Sequence, residues 1–210
     1  MGKTLVACAL VRLLRARGTD AVGFKTVATG AENGRWEDAE ALCAAASNVE
    51  PLELVCPLRF QAPLAPVQAA KAEGLRVDFD VARRALQELR ARHACVVVEG
   101  VGGLLVPLDE HTLVLDFMRE CGFPAVLVAQ ARLGTVNHTL LTLRELDRAG
   151  VSVAALVLNV THPADAANAA PSAEEIARHG RKVDALVPFL GAAPSAERQK
   201  QTAGHLAPIL

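Results

Sequence analysis

The 210-residue sequence predicts an α/β fold, with a doubly wound and mostly parallel sheet and helices on both faces. Short, nearly continuous apolar runs rich in β-branched residues alternate with segments long enough to form crossover helices. Hydrophobic residues make up 51% of the chain and charged residues 21%, so residues 1–210 can bury one core as a single domain. Folds of this class bind ligands at the carboxyl ends of the strands.

The first half of the chain begins with a helix predicted over residues 3–17. Apolar side chains recur there at helical spacing, basic residues gather in the last turn, and Gly18 ends the run. The elements that follow are a strand at 21–27, a short helix at 37–47 and a longer helix at 77–93. Either Asp78 or Asp80 is a suitable N-cap for the longer helix.

The second half continues the alternation of strands and helices. Buried strands are predicted at 94–100, 124–130, 152–159 and 184–190, and crossover helices at 112–122, 134–150 and 172–182. Residues 162–171, HPADAANAAP, interrupt this pattern and are predicted to form a mobile loop.

The composition argues against several classes of partner. The formal net charge is -1, so no overall basic field draws the chain to nucleic acid or to an anionic membrane. Aromatic residues make up only 3%, which argues against stacking platforms for single-stranded nucleic acid. No run approaches the roughly 18 apolar residues that a membrane span requires. The 5 cysteines, without C-x-x-C spacing, favour a reducing cytoplasm over a disulfide framework or a structural zinc site.

The first residues carry a nucleotide-binding signal. Gly2, Lys3 and Thr4 open the first predicted helix and match the last third of a P-loop, G-x-x-x-x-G-K-[ST]. A helix N-terminus is a natural binding site for phosphate, because its backbone N–H groups and its dipole both favour an anion. Three residues alone are a weak signal, so the interpretation depends on the rest of the chain.

Polar side chains stand at or near the carboxyl ends of three predicted strands. Lys25 lies in FKTVATG, Glu99 ends CVVVE and Asn159 ends ALVLN, so all three are expected at one edge of the sheet. An unpaired charge is costly there, and Lys25 and Glu99 therefore indicate either mutual pairing or a ligand with its metal. Asp38, on a loop or at a helix start, would with Thr4 and Glu99 supply the oxygen ligands that Mg²⁺ prefers.

The chain resembles the dethiobiotin synthetase family over nearly its whole length. The segments that carry the resemblance are, in order, GKTLVACALVRLLRARG, VGFKTVATG, EDAEAL, PLRFQAPLAPVQAA, VVVEGVGGLLVPL, LGTVNHTLLTLRELDRAGV, ALVLN and VPFL. The EGVGG loop followed by Pro107, the LGTVNH helix start and FKTVATG make the combination specific. The resemblance implies a P-loop NTPase-like fold.

The resemblance also implies roles for the matching residues. ATP is implied to bind through Gly2, Lys3, Thr4, Glu99 and Asn159, with Lys3 on the phosphates and Asn159 on adenine. The implied Mg²⁺ ligands are Thr4, Asp38 and Glu99. The implied catalytic residues are Lys3 and Lys25, the second holding the carbamate. The implied substrate-binding residues are Thr29, Gly102, Gly103, Leu133, Gly134 and Asn137, of which the last three reach the substrate of the neighbouring subunit.

The activity that the resemblance implies is ATP- and Mg²⁺-dependent synthesis of dethiobiotin from 7,8-diaminononanoate and CO₂, with release of ADP and phosphate. Phosphoryl transfer depends mostly on positioning and preorganised positive charge, so two lysines and Mg²⁺ suit it. No cysteine is needed as a nucleophile, and all five are expected to be buried. The implied partners are these small molecules and a second copy of the chain in a homodimer, with no nucleic acid and no membrane.

The chain also departs from the family pattern. Thr26 stands where the family commonly has proline, and Val67 where it has the histidine of S-P-H, and both positions bear on the substrate pocket. The family has a strand and a G-T-x-T loop before GKT, where this chain has Met1. Burying such a strand contributes roughly 6 to 15 kcal/mol, comparable with the whole stability of a domain. We therefore expect a start upstream of Met1 or an N-terminally truncated chain, which in-frame upstream codons for that strand would support.

Two other functions stay open at this stage. Another P-loop ATPase, of the ParA-like or amidotransferase-like group, would share the sheet and GKT but act on a different acid or protein. A noncatalytic remnant without a complete P-loop would keep the dimer interface and bind a partner without hydrolysing ATP. ATP turnover that ignores diaminononanoate indicates the first, and absence of Mg²⁺-dependent nucleotide binding indicates the second.

Overall fold

The computed structural model describes residues 1–191, 193 and 195–209. The chain divides into two compact units. The N-terminal unit is Ala7–Phe117, and the C-terminal unit combines Met1–Val6 with Met118–Leu210. The single domain over residues 1–210 stays a prediction.

The N-terminal unit contains two pairs of parallel strands and the helices around them. Its elements in chain order are α1 (Lys3–Ala16), whose start belongs to the other unit, β1 (Ala21–Lys25), β2 (Val27–Thr29), α2 (Glu37–Ala45), α3 (Leu52–Val55), β3 (Leu58–Phe60), α4 (Pro66–Ala72), α5 (Phe79–Arg92), β4 (Cys95–Glu99) and α6 (Val114–Cys121). The Asp78 carboxylate accepts from the Asp80 amide at 3.1 Å, which confirms Asp78 as the cap of α5. The sequence did not predict α3, β3 and α4, because such short segments do not reveal a period.

Strand pairing in this unit divides the single strand predicted at 21–27. β1 runs parallel to β4, in a register from Ala21 opposite Cys95 to Lys25 opposite Glu99. β2 instead runs parallel to β3. The two short strands therefore separate at Thr26, and the register of β1 and β4 brings their last residues side by side.

The strands of this unit differ in how well they are covered. All five residues of β1 are buried, whereas only Glu99 is buried in β4 and the four residues before it are half-buried. Within the described residues β4 pairs with β1 alone, so no strand covers its second edge. The prediction of a buried strand at 94–100 is therefore wrong for the first four residues of β4 and correct for Glu99.

The C-terminal unit holds one parallel sheet with the strand order β5, β6, β7. Its elements are β5 (Ala125–Gln130), α7 (Thr135–Arg148), β6 (Val153–Asn159), α8 (Ala166–Arg178), β7 (Ala185–Val187) and α9 (Ser195–Leu206). β7 is shorter than predicted because Pro188 cannot donate a ladder hydrogen bond. Parallel strands connected through helices confirm the predicted α/β class, although the described strands form three separate sheets rather than one.

The mobile loop predicted at residues 162–171 is wrong. A 3₁₀ turn at Pro163–Asp165 leads directly into α8, and the ring of His162 accepts from the backbone amide of Ala164 at 3.2 Å. Alanine has the highest helix propensity, and α8 buries Ala169 and Ile176, so the segment is helical although Pro171 lies inside it. Within the described residues no helix combines the length and the apolar character that crossing a bilayer requires.

A half-buried histidine, His93, connects three segments of the N-terminal unit just before β4. The two ring nitrogens of His93 lie 2.9 Å from an Asp20 oxygen and 2.8 Å from a Glu50 oxygen. Arg92 donates to the other Glu50 oxygen at 3.0 Å, and Arg15 lies 3.4 Å from Asp20. Burial alone would lower the pKa of His93, but the two carboxylates outweigh it and raise that pKa above 6.5. Both carboxylates therefore favour the imidazolium form.

This arrangement predicts a pH-dependent stability contribution from His93. Because folding raises its pKa, the stabilisation is complete below pH 6.5 and is lost as the pH rises through the folded-state value. We expect His93→Asn to lower the free energy of unfolding by about 1 kcal/mol at pH 6 and by less at pH 9. Urea unfolding of both proteins at each pH measures the difference. Exposed His205→Asn is the control, and an equal His93→Asn effect at both pH values would contradict the assignment.

Candidate functional site

Three charged side chains meet at the carboxyl ends of β1 and β4. The ammonium nitrogen of Lys25 donates to Glu99 Oε1 at 2.7 Å and to Asp38 Oδ2 at 3.0 Å. Lys25 and Glu99 are the last residues of their strands and are cross-strand partners, while Asp38 lies in the first turn of α2. The structure therefore shows mutual pairing, which is one of the two alternatives that the sequence indicates for Lys25 and Glu99.

Burial makes this cluster electrostatically strong. Lys25 is 3% exposed and Glu99 is 4% exposed, whereas the side chain of Asp38 is 56% exposed. Burial by itself would lower the pKa of Lys25, but the Glu99 and Asp38 carboxylates outweigh it and raise that pKa. Lys25 is therefore held as a charged ammonium, with one buried and one solvent-facing carboxylate against it.

The donor set of this cluster fits a hard divalent cation. Asp38 and Glu99 each place a carboxylate oxygen within 3.0 Å of one positive centre. Within the described residues no group of three or more His, Cys, Asp or Glu side chains forms a complete metal cage. A pair of carboxylates completed by substrate oxygens is the usual arrangement for Mg²⁺, which dehydrates reluctantly and keeps few protein ligands.

The predicted substrate-binding residues of this unit follow the same strand ends. Thr29 is the half-buried last residue of β2, and the loop after β4 exposes Gly102 and Gly103. Gly102 has φ +63, and an added Cβ would lie 2.6 Å from a methyl group of Val106, so only glycine fits there. Thr26 is 1% exposed between β1 and β2, and its hydroxyl makes no hydrogen bond with any described residue.

The start of α1 belongs to the C-terminal unit, where it contacts the end of β6. Lys3 and Thr4 begin the helix, and the amide nitrogen of Asn159 donates to the carbonyl of Met1 at 2.9 Å. Asn159 is 2% exposed, and its amide nitrogen is engaged by the Met1 carbonyl. Its contact with adenine therefore stays a prediction. Gly2 has φ +88, and an added Cβ would lie 2.2 Å from that same nitrogen.

This contact predicts the effect of adding one methyl group. We expect Gly2→Ala to displace the first turn of α1, because positive φ and the Asn159 contact both exclude a side chain. The amide of Val6, which donates to the Gly2 carbonyl at 3.1 Å, should then exchange its hydrogen faster. Strain of about 1–3 kcal/mol corresponds to a roughly 5- to 150-fold change in hydrogen-exchange rate.

The same helix offers a matched control. Gly18 also has positive φ, +85, but nothing lies within 4 Å of an added Cβ. Gly18→Ala should therefore leave the exchange of the Val6 amide unchanged. Equal exchange of Val6 in Gly2→Ala and in the unsubstituted protein would show that the Asn159 contact does not hold the helix start.

The sequence did not single out Arg132, which contributes positive charge near the start of α1. Burial lowers the pKa of the Met1 amino group, and repulsion from Lys3 and Arg132 lowers it further. Lys3 and Arg132 therefore both place positive charge near this helix start, which favours an anion there. Arg132 follows the end of β5 at Gln130, so its position just past a strand end was the available signal.

The third group of predicted residues lies at the start of α7. Gly134 is the N-cap residue with φ +91, and Asn137 is exposed in the first turn. Leu133 is 96% exposed and Leu141 is 56% exposed, which are high values for large apolar side chains. The segment therefore presents apolar surface beside polar side chains.

The cysteines suit a mechanism without a nucleophilic thiol. Cys8, Cys43 and Cys56 are buried as predicted, whereas Cys95 and Cys121 are only half-buried, and none of the five forms a disulfide within the described residues. Burial raises the pKa of Cys8 and that of Cys56 to about 12, so neither is a thiolate at neutral pH. The prediction of five buried cysteines is therefore wrong for two of them, which lie on β4 and at the end of α6.

Known proteins share the sequence and the fold of this chain. A family model described as an AAA domain matches residues 1–202. The protein named ATP-dependent dethiobiotin synthetase BioD in Anaeromyxobacter dehalogenans strain 2CP-C is 50% identical over 190 residues, which are 90% of this chain and 85% of that protein. The proteins of the same name in Aromatoleum aromaticum and Bacillus licheniformis are 40% and 35% identical, over 92% and 98% of this chain and 85% and 86% of their own lengths.

One solved structure extends the comparison to the fold. The cell division ATPase MinD of Pyrococcus furiosus aligns with 100% of this chain and 94% of its own, with a TM-score of 0.54 and 14% identity. This similarity confirms the P-loop NTPase-like α/β fold and carries no further conclusion. The sequence identities above and the match over residues 1–202 show that the chain belongs to the ATP-dependent dethiobiotin synthetase family.

Proposed function

We propose that the chain synthesises dethiobiotin from 7,8-diaminononanoate, CO₂ and ATP, as an ATP- and Mg²⁺-dependent carbon–nitrogen cyclo-ligase of biotin biosynthesis. The observation that carries the proposal is 50% identity over 190 residues to a protein named for this activity. The cluster of Lys25, Glu99 and Asp38 supports it, since a buried ammonium with two carboxylates suits a reaction that handles anions and a divalent cation.

The proposed reaction has three steps. One amine of the substrate adds to CO₂ and loses a proton, which gives a carbamate. A carbamate oxygen then attacks the γ-phosphorus of ATP, and the bond to ADP breaks. The second amine attacks the resulting carbonyl carbon, the phosphate leaves, and the amine proton is lost as the cyclic urea forms. Each step handles negative charge on oxygen, so fixed positive charge is the main requirement from the protein.

Two lysines supply that charge in the proposed mechanism. Lys3, at the start of α1, holds the phosphates of ATP, helped by the Gly2–Thr4 backbone and by the helix N-terminus. Lys25 holds the carbamate and neutralises charge as the phosphoryl group moves, and the hydroxyl of Thr29 orients the substrate. Gly102 and Gly103 allow the backbone to approach the substrate closely, and the amide of Asn159 contacts adenine once it has left the Met1 carbonyl.

The proposed Mg²⁺ ion would be held by the Thr4 hydroxyl and by the Asp38 and Glu99 carboxylates. When bound, such an ion neutralises the β- and γ-phosphate oxygens and favours in-line transfer. The half-exposed Asp38 gives access from solvent, while the buried Glu99 fixes the inner ligand position.

We also propose a homodimer in the cytoplasm, in which Leu133, Gly134 and Asn137 reach the substrate of the neighbouring subunit. The exposed Leu133 and Leu141 support this, because a second copy would remove their apolar surface from water. Free cysteines fit a reducing compartment.

The proposed dimer predicts that a charge at Leu133 weakens association. Leu133→Asp should raise the dimer dissociation constant by at least about 100-fold, since both copies lose one buried leucine and gain a desolvated carboxylate. Sedimentation velocity over a range of concentrations measures this change. Leu75→Asp, at another leucine that is 54% exposed, is the matched control. Equal dissociation constants for both variants would place the interface elsewhere.

Phosphate release that requires both diaminononanoate and bicarbonate tests the proposed function. We expect this dependence in the 210-residue chain, or in a chain extended upstream of Met1 by its in-frame codons. ATP hydrolysis that ignores diaminononanoate would instead indicate an ATPase with another substrate. Calorimetry that detects no Mg²⁺-dependent nucleotide binding to either protein would indicate a noncatalytic remnant.

A further inference from the structure

The ammonium of Lys25 lies between the two carboxylates that would hold the proposed Mg²⁺ ion. The distances from its nitrogen are 2.7 Å to Glu99 and 3.0 Å to Asp38. We propose that Lys25 is an internal cation that a divalent ion must displace, so that metal binding releases Lys25 toward the substrate. This inference rests on the proposed function for the identity of the metal and for the use of the released ammonium.

The two cations exclude each other at this position. An ammonium only donates hydrogen bonds, and both Asp38 and Glu99 accept one from Lys25. A divalent cation needs carboxylate oxygens as ligands, and at contact distance it also repels the ammonium. Asp38 and Glu99 can therefore bind a divalent cation together only when Lys25 has moved away.

The structure indicates which group moves. Glu99 ends a strand, is 4% exposed and is held opposite Lys25 by the parallel pairing of β1 and β4. The backbone of Lys25 is fixed by the same pairing, but its four-carbon stem can rotate. The side chain of Asp38 is 56% exposed, so a hydrated ion can reach the cluster there first. Entry at Asp38 followed by rotation of Lys25 requires no change in the strands.

This exchange would couple metal loading to catalysis. With no divalent ion bound, Lys25 is engaged by Glu99 and Asp38 and cannot neutralise a carbamate. With the ion bound, the same ammonium becomes available for the negative charge that develops on the substrate. Binding of the metal ion and release of the lysine would then occur in one step.

Lysine labelling tests the displacement in the unsubstituted protein. Acetic anhydride modification followed by mass spectrometry reports the reaction rate of each lysine, with and without Mg²⁺ and in the absence of nucleotide. We expect Lys25 to react at least tenfold faster when Mg²⁺ is bound, while the exposed Lys71 reacts equally in both conditions. Calorimetry on the same samples establishes that Mg²⁺ is bound. Continued protection of Lys25 in the Mg²⁺-bound protein overturns the proposal.

Metal affinity tests whether Lys25 and the divalent ion compete for Asp38 and Glu99. Mn²⁺ binding, followed by the electron paramagnetic resonance signal of the free ion, is compared in the unsubstituted protein, Lys25→Met and Lys71→Met. We expect at least tenfold tighter binding in Lys25→Met and less than twofold change in Lys71→Met, which removes the same charge at an exposed site. Equal or weaker binding in Lys25→Met overturns the proposal. Should that variant fail to fold, the labelling result decides.

The two proposals can fail independently. If Mg²⁺ releases Lys25 in a protein that never converts diaminononanoate, the proposed cation exchange is supported and the proposed function is excluded. If the protein converts diaminononanoate while Lys25 stays protected from acetylation at every Mg²⁺ concentration, the proposed function is supported and the cation exchange is excluded.

Discussion

Lys25→Ala is expected to lower diaminononanoate-dependent phosphate release by about 10²–10³-fold, the effect of removing one preorganised charge from a transition state. The ammonium is 3% exposed and lies against Glu99 and Asp38, so water cannot take its place at low cost. The measurement is steady-state phosphate release with ATP and bicarbonate saturating. Lys71→Ala, at an exposed lysine of α4, is the control and should keep full activity.

Lys25→Ala should also destabilise the fold, because it leaves Glu99 buried without its ammonium. Breaking a buried ion pair from one side costs about 3–5 kcal/mol, whereas replacing both partners by apolar residues is often neutral. The double variant Lys25→Met with Glu99→Leu should therefore recover most of the free energy of unfolding while activity stays lost. Activity that returns together with stability would show that Lys25 is structural and not catalytic.

Lys3→Ala is expected to lower kcat/KM for ATP by a similar factor, about 10²–10³-fold. Lys3 opens α1, where the helix N-terminus and the nearby Arg132 charge already favour an anion. Lys3 is half-buried whereas Lys25 is buried, so the loss of Lys3 should lower the free energy of unfolding less than the loss of Lys25 does. Lys3→Ala therefore differs from Lys25→Ala, which is expected to lower both the activity and the free energy of unfolding.

Lys182→Ala is the control for Lys3, because it removes an equal charge from an exposed position. Initial rates over a range of ATP concentrations give kcat and KM separately. A change in KM alone would indicate that Lys3 contributes equally to ground-state and transition-state binding. Unchanged kcat and KM would remove Lys3 from the phosphate site.

Most of the fold was predictable because its long elements carry clear periodicity. α1, α5 and α7 lie close to their predicted positions, and the apolar runs of β5 and β6 identified those strands. The strand β3 and the helix α3 were missed because each has too few residues for a period to appear.

The predicted loop at 162–171 failed for a different reason, since burial of Ala169 depends on packing that the local sequence does not contain. Tertiary contacts such as this one decide the structure of an Ala-rich segment that also carries turn formers. The helix α9 was likewise not predicted.

The candidate site could be predicted in part from the positions of charges. Lys25 and Glu99 stood out because charged residues rarely end buried strands, and the parallel register does place them side by side. The contact between Asn159 and the Met1 carbonyl could not be predicted, because it joins residues far apart in sequence through one backbone atom. Arg132 was missed because an arginine in an exposed turn looks like any solvated charge.

The central proposal is that these residues serve one ATP-dependent ring closure, and the most direct test follows the carbon atom. The protein is incubated with ¹³C-labelled bicarbonate, ATP and diaminononanoate, and the mass of the product is measured by mass spectrometry. We expect dethiobiotin that carries one ¹³C atom, formed in equal amount to ADP, and about 10²–10³-fold less of it from Lys25→Ala in the same time. ADP formation without labelled dethiobiotin would contradict the central proposal.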